Sequence, residues 1–411
     1  MLNTVIASRA QVQGAPARTG HAPGSVPPLP HGTALVSYWL GSESAYAWAI
    51  LPGEIHWTRL SSPTAIADEA RAFHRSLTRF VDTPVDRRLQ GARTLYTMIV
   101  QPLEPWLSQV RRWVIVPDGA LDYVPFAALR MQDGDGQADS FVIGKHDVAV
   151  TPAAWMLDKG GARPPEHHAS RILLVADPVY QADDPRLATV KDARAGAPTS
   201  TSGDAYDGAR DYRRLQFTAD EAAGIAALFA KADVDALIGL DATRGRLLAM
   251  DWSQYRFIHI ATHGILDAQV PELSALILGS YDAQGRVPDR SVRVADVSLK
   301  ALTAEVAVLS ACETALGKEV RSDGLVGMSS TMLARGARAV VASLWPVPDE
   351  IGARLMTEFY RHMLQDSMDP EAALGAAMRS MVLRHPPVDP ALWAAFQVSV
   401  GTLPAPGSAV H

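Results

Sequence analysis

The sequence predicts an α/β protein built on a mostly parallel sheet flanked by helices. Three observations lead there. From Phe217 onward, helix-like and strand-like stretches alternate, the order produced by strand–helix–strand units. The strand-like stretches at 172–175 and 306–309 are apolar throughout, as strands covered on both faces are. Two of the strands then run straight into a histidine or a cysteine, and the carboxyl ends of parallel strands are where such sheets place their ligands.

Taken in order, residues 1–30 are rich in Ala, Gly, Pro and Ser with no apolar period, and are expected to form a disordered leader or linker. Order is expected from residue 34. Apolar and aromatic runs at 34–40 and 45–50, separated by Gly41-Ser42-Glu43-Ser44, read as a hairpin. Ser62-Pro63 sets a capping residue before proline and so opens a helix, with Ile66, Phe73, Leu77 and Phe80 near helical spacing. Residues 113–116 make a short buried strand that stops at Pro117-Asp118-Gly119. The run at 172–175 opens a second lobe. Between 181 and 211 the chain is polar and small, with Pro185, Gly196, Pro198, Gly203 and Gly208; a stretch this long without periodicity is a flexible insertion or a functional loop. A helix at 220–229, a strand at 234–238, a helix at 243–250 and a strand at 255–260 follow. Further strands are expected at 274–278, 306–309 and 339–344. Asp369-Pro370 and Asp389-Pro390 each start a helix with a cap before proline.

At 411 residues the chain is too long for one ordinary core. We expect a leader at 1–30, an N-terminal lobe at 31–165 and a second lobe at 166–405. A net charge of −6 with dispersed arginines leaves no basic footprint, so nucleic acid is not an expected partner. Residues 1–14 lack a charged start followed by an apolar core, so no export signal is expected. No apolar run approaches the roughly 20 residues that span a bilayer. One cysteine, Cys312, rules out an intrachain disulfide and any Cys-pair zinc site. The expected compartment is the cytoplasm.

The chemistry concentrates at two strand ends. Phe257-Ile258-His259-Ile260-Ala261-Thr262-His263-Gly264 ends the first, and Val306-Ala307-Val308-Leu309-Ser310-Ala311-Cys312 ends the second. If these strands are neighbours, His263 and Cys312 emerge at one edge. They lie about 50 residues apart, the separation given for the caspase His and Cys. A free thiol with a pKa of ~8.5 is only a few per cent thiolate at neutral pH. An imidazole in reach takes its proton during attack and returns one to the leaving amine. The backbone N–H of Gly264, with no side chain in the way, and that of Cys312 are the candidate oxyanion donors.

These same residues carry a family resemblance. His259-x-Ala261-Thr262-His263-Gly264 and Leu309-Ser310-Ala311-Cys312-Glu313-Thr314 resemble the CHAT family, caspase-like cysteine peptidases of the caspase and separase clan. Asp323-Gly324-Leu325, Gly336-Ala337, Ser343-Leu344-Trp345-Pro346-Val347 and Trp393-x-x-Phe396 follow the family pattern, as do Pro117-Asp118-Gly119 and Pro125-Phe126 upstream. The resemblance implies a caspase-like (caspase-hemoglobinase) fold, with 31–165 as its non-catalytic lobe and 166–405 as its catalytic lobe. It also implies a cysteine endopeptidase that needs no cofactor, acts on a protein or peptide and is regulated by a protein partner in bacterial signalling or defence. Caspases carry Gln-Ala-Cys where this chain has Ser310-Ala311-Cys312, so an Asp-specific pocket is not expected.

Plainer readings stand beside each of these. A lone cysteine is often a small buried hydrophobe. His259, inside its strand, is expected to be structural and bonded to a backbone carbonyl, in support of the site. A metal shared by His259 and His263 is not expected, because the zinc-peptidase pattern needs a Glu beside the first His and a helix. His167-His168 lies in a Pro-rich loop and is expected to be solvated. Asp323 caps the helix that starts near Leu325, or else orders the active-site loop or lines a pocket that favours a basic residue. Ser310 is a second pocket-wall candidate by the resemblance. Trp345 is first a core or rim aromatic. Two alternatives remain for the whole: a catalytically silent interaction module, and a thiol esterase or acyltransferase on the same dyad.

Overall fold

The computed structural model describes residues 29–131, 140–157, 171–188, 212–265, 274–287, 289–310, 323–384 and 389–403. The expected leader up to residue 28, His167-His168, the part of the insertion at 189–211 and Cys312 itself lie outside the described residues. Leu29 and Pro30, placed in the leader by composition, are already buried.

The chain divides into two compact units, one formed by Met1–Ala162 with Met368–His411, the other by Arg163–Ser367. In the first, β1 (Thr33–Leu40), β2 (Ala45–Leu51) and β3 (Glu54–Arg59) form an antiparallel meander, with Trp39 opposite Tyr46 and Trp48 opposite Trp57. The first two are the expected hairpin. Helix α1 (Pro63–Thr78) starts where Ser62 Oγ accepts from the N–H of Ala65 at 3.4 Å. Ile66, Phe73 and Leu77 point into the core, whereas Phe80 lies past the helix end and is half-buried. Helix α2 (Val85–Leu95) follows. Strands β4 (Arg112–Val116) and β5 (Asp147–Val150) then extend the sheet in parallel from the other side of β1.

In the second unit, β6 (Ile172–Ala176), helix α3 (Thr218–Ala226), β7 (Val234–Ile238), helix α4 (Arg244–Ala249) and β8 (Phe257–Ala261) follow the predicted alternation. Helix α3 ends before Phe229, whose ring instead packs edge-on against Phe257 at 5.6 Å. Next come β9 (His263–Ile265), β10 (Ala275–Ile277), the ribbon β11 (Tyr281–Asp282) and β12 (Gly285–Arg286), and β13 (Ser291–Arg293). The run expected at 274–278 is therefore not part of the parallel sheet: β10 pairs antiparallel with β9 and β13. The nine residues between Ile265 and Ala275 are fewer than the dozen or more that a parallel crossover needs. Strand β14 (Val306–Leu309), helix α5 (Asp323–Ala334), β15 (Ala339–Ser343) and helix α6 (Asp349–Leu364) complete the unit.

The order β7-β6-β8-β14-β15 is parallel at every neighbouring pair. Helices α3 and α6 pack together, and a Cβ on Gly224 would stand 3.1 Å from Thr357 Oγ1, so the glycine lets them close. The part of the expected insertion before residue 189 holds one short ordered turn. Pro185–Leu187 forms a 3-10 turn capped by Asp184, and Leu187 is buried.

The catalytic lobe is expected to run to residue 405, but the segment from 368 onward groups with the first unit. Its β16 (Phe396–Val400) pairs in parallel with β5, while Asp369 and Glu371, at the start of helix α7 (Pro370–Arg384), both bind the buried guanidinium of Arg112 at 2.7 Å. Asp389 caps the last turn as predicted, its Oδ1 accepting from the N–H of Ala391 at 3.0 Å, and it also pairs with Arg88 of α2. Among the described residues, no helix is long and apolar enough to cross a membrane.

Candidate functional site

Within the second unit the strand order changes direction at β6. The chain goes outward to β7 and then returns to the other side of β6 to lay down β8, β14 and β15. In open parallel sheets, a ligand crevice opens at such a switch point, beyond the carboxyl ends of the two strands that flank it. Here those strands are β6 and β8. Ile260 lies opposite Leu309, and the N–H of Ser310 donates to the carbonyl of Ile260 at 2.9 Å. The condition for His263 and Cys312 to emerge at one edge, that β8 and β14 are neighbours, is met. Cys312 follows Ser310 by two positions and falls outside the described residues.

His263 follows β8 after the break at Thr262 and is 3% exposed. Its Nε2 stands 2.6 Å from the carbonyl oxygen of Arg213. A carbonyl only accepts, so Nε2 carries a hydrogen, and in the neutral ring the free lone pair is on Nδ1. The backbone N–H of His263 donates to the Tyr180 hydroxyl at 3.3 Å, which donates onward to the carbonyl of Ile277 at 3.1 Å. Burial pushes the Tyr180 hydroxyl well above the usual phenol range, so it remains a neutral donor. Tyr180 and Tyr212 pack on the imidazole, with ring centres at 4.9 and 5.1 Å. The Arg290 guanidinium lies 4.8 Å above the Tyr212 ring, within cation–π range. The ring of His263 is thus held at Nε2 by the Arg213 carbonyl and packed by two aromatic neighbours.

The carbonyl that holds it is itself tied down. Arg214 grips Asp177 with two hydrogen bonds, Nε to Oδ1 at 2.8 Å and Nη2 to Oδ2 at 2.7 Å. Asp177 is the first residue after β6 and has a φ of 49°. Its N–H donates to Thr218 Oγ1 at 3.0 Å, and that hydroxyl donates to the carbonyl of Leu215 at 2.8 Å. Arg186 adds a third contact to the carboxylate at 2.8 Å while also holding Asp184, which keeps the Asp184 carboxyl below its ordinary range.

His259 is placed differently from the expectation. It bonds no carbonyl. Its ring is fully buried, with Nε2 3.0 Å from Glu221 Oε1 and Nδ1 3.4 Å from the Tyr360 hydroxyl. The Glu221 contact has the distance of an ion pair but is poorly aligned, and neither atom finds a hydrogen-bond partner among the described residues. Burial raises the Tyr360 hydroxyl far above its ordinary range. His259 and His263 thus have separate surroundings. Among the described residues, no group of three or more His, Cys, Asp or Glu side chains is placed to hold a metal ion.

Of the remaining candidates, Gly264 sits buried in the β9 ladder opposite Leu276. Ser310 is half-buried at the end of β14. Helix α5 begins at Asp323 itself rather than near Leu325, and the Asp323 side chain lies outside what the structure describes. Trp345 is fully buried core. Reading the sequence missed Asp177, Tyr180, Tyr212, Arg213 and Glu221. One available signal was that Asp177 ends an apolar strand just as His263 and Cys312 do. The carbonyl of Arg213 gave none, because every residue has one.

A family model, the CHAT domain, matches residues 89–402. The chain is 26% identical over 345 residues to tetratricopeptide repeat protein 28 of Mus musculus, covering 74% of this chain and 13% of that protein. It is 33% identical over 104 residues to tetratricopeptide repeat protein 28 of Homo sapiens, covering 25% of this chain and 4% of that one. The chain thus spans a small fraction of the curated relatives it matches. Among solved structures, it is similar to the Saccharomyces cerevisiae separase–securin complex, with a TM-score of 0.43 and 11% identity over 90% of this chain and 30% of that one. The Arg-specific cysteine proteinase gingipain R has a TM-score of 0.42 and 11% identity over 82% of this chain and 74% of that one. With its model spanning most of the sequence, this chain belongs to the CHAT domain family.

Proposed function

We propose that this chain is a cysteine endopeptidase whose second unit works through Cys312 and His263. The observation that carries this reading is the hydrogen bond from His263 Nε2 to the Arg213 carbonyl, at the carboxyl end of a strand that pairs with β14. In the neutral ring that bond favours Nδ1 as the nitrogen that takes up a proton. In the reaction, His263 Nδ1 takes the thiol proton as Cys312 Sγ bonds to the scissile carbonyl carbon. The N–H groups of Gly264 and Cys312 receive the oxyanion, each such donor contributing roughly 3–4 kcal/mol. His263 then protonates the leaving amine, and water activated by the same nitrogen releases the acyl group from sulfur. No metal or organic cofactor takes part. Ser310 and Asp323 are the candidates for lining the pocket or ordering the active-site loop, and His259 is a supporting residue.

The substrate is a protein or peptide, and regulation comes from a protein partner. A single thiol used as nucleophile fits a reducing compartment such as the cytoplasm. One observation favours a second reading: the curated relatives are named for tetratricopeptide repeats rather than for a reaction, which suits a silent interaction module. A peptide-library digest read by mass spectrometry separates the two. The peptidase reading expects selective cuts by the wild type, alone or with its partner, and none by Cys312→Ala. Cuts that persist in Cys312→Ala would overturn the mechanism, and partner binding without any cut would favour the module.

A further inference from the structure

The mechanism above uses the Arg213 carbonyl but not the groups that hold that carbonyl in place. Those groups converge on Asp177. Its carboxylate is 4% exposed and receives three guanidinium hydrogen bonds, two from Arg214 and one from Arg186. A single charge-assisted contact would suffice to neutralise it. The paired bonds from Arg214 add fixed geometry, since a planar fork on a carboxylate sets direction as well as distance.

The direction is passed on over one peptide unit. Arg214 and Arg213 are adjacent, so fixing the Arg214 side chain on Asp177 limits where the Arg213 carbonyl can point. The far end of the same segment is fixed as well, through the Asp177 N–H, the Thr218 hydroxyl and the Leu215 carbonyl. The near end is fixed by Tyr212, which is buried against the imidazole. Residues 212–218 therefore pass beside His263 and are held at the end of the neighbouring strand β6 by both the carboxylate and the backbone N–H of Asp177. Arg213 and Arg214 are otherwise exposed, so little else around their side chains would hold this segment. Asp177 also adopts a left-handed backbone conformation, which a non-glycine residue holds only where its surroundings impose it.

We propose that Asp177, acting through Arg214 and the Arg213 carbonyl, is a positioning residue that sets the tautomer and orientation of His263. This rests on His263 being the base. Without the clamp, the carbonyl no longer selects Nε2–H, and Nδ1–H becomes populated. In that state the nitrogen proposed to take the thiol proton is already protonated and does not accept.

The test uses the full chain with Arg214→Ala, Arg214→Lys and Asp177→Asn. Arg214 is 41% exposed, so its variants are expected to fold even if Asp177→Asn does not. Two readouts are needed. The first is the ¹⁵N chemical shifts of the His263 ring, which report the tautomer without any reaction. The second is the rate at which a peptidyl electrophile labels Cys312. Arg214→Ala is expected to shift the tautomer toward Nδ1–H and slow labelling roughly 10- to 100-fold, the scale of a misplaced catalytic group. Arg214→Lys, with charge but no fork, should fall between. A wild-type tautomer and labelling rate in Arg214→Ala would overturn the proposal. A tautomer shift in Arg214→Ala, with no labelling of any form including the wild type, would support the clamp while counting against the peptidase reading.

Discussion

The Nε2 atom of His263 and the carbonyl oxygen of Arg213 are 2.6 Å apart, and this contact puts the hydrogen of the neutral ring on Nε2. A carbonyl has no proton to give, so Nδ1 is left to accept one. The account expects His263→Ala to reduce peptide cleavage by roughly 100- to 10,000-fold, the usual worth of a positioned general base. The buried ring also packs on Tyr180 and Tyr212, so the variant should unfold at a lower temperature and is assayed where it is fully folded. Steady-state cleavage assays check this; a loss of less than threefold would remove His263 from the mechanism.

His259 should show its effect in stability. It is fully buried against Glu221 at 3.0 Å, and removing either side chain opens a cavity in the core and so destabilises the fold. Glu221→Ala and His259→Ala are each expected to lower the denaturation midpoint strongly. Groups in contact do not add, so the double variant should lose clearly less than the sum. Denaturant titration of all three supplies the measurement, and simple additivity would mean that the pair is not coupled.

Gly336 precedes β15 with a φ of 121°, and a Cβ there would stand 2.1 Å from the carbonyl oxygen of Leu302. Backbone atoms cannot move aside as a flexible side chain can. Gly336→Ala should destabilise the chain by roughly 2–4 kcal/mol, from backbone strain plus the clash. A midpoint within experimental error of wild type in the same titration would contradict that.

The first unit carries a pH dependence of its own. His146 is buried, stacks on Trp113 at 4.1 Å and donates from Nδ1 to the carbonyl of Val110 at 2.7 Å. Burial holds its pKa below the usual value. The folded ring therefore stays neutral at pH values where the unfolded ring, near about 6.5, takes up a proton. Its contribution is complete above that pH and is lost as pH falls. The unfolding temperature should drop between pH 7.5 and pH 5.5, and less steeply in His146→Gln. Equal slopes in the two proteins would show that His146 is not responsible.

Much of the second unit was legible because its strands are apolar at nearly every position and are punctuated by helices. That pattern reports burial on both faces, and burial on both faces implies a parallel sheet. The pairing of β8 with β14 followed from the two strand ends that carry His263 and Cys312. The run at 274–278 was misplaced because three apolar residues look alike in either sheet, and only the return beside β9 distinguishes them. The segment after residue 368 was assigned to the wrong unit because its capping prolines mark where helices start and say nothing about what they pack against. Arg112, 257 residues from Asp369, is what binds it to the first unit. His259 was expected to bond a carbonyl, but alternation within a strand tells which face a residue takes and not which helix covers that face. Here Glu221 of α3 does.

The most direct test of the central claim is mass-spectrometric labelling of the purified chain with a panel of peptidyl electrophiles. Wild type, Cys312→Ala and His263→Ala should be compared, with and without a candidate protein partner. The account predicts one adduct, on Cys312, formed selectively with certain peptides and lost or strongly slowed in His263→Ala. Labelling of Cys312 that is insensitive to both peptide sequence and His263 would contradict it, because the thiol would then be reacting as an ordinary free cysteine.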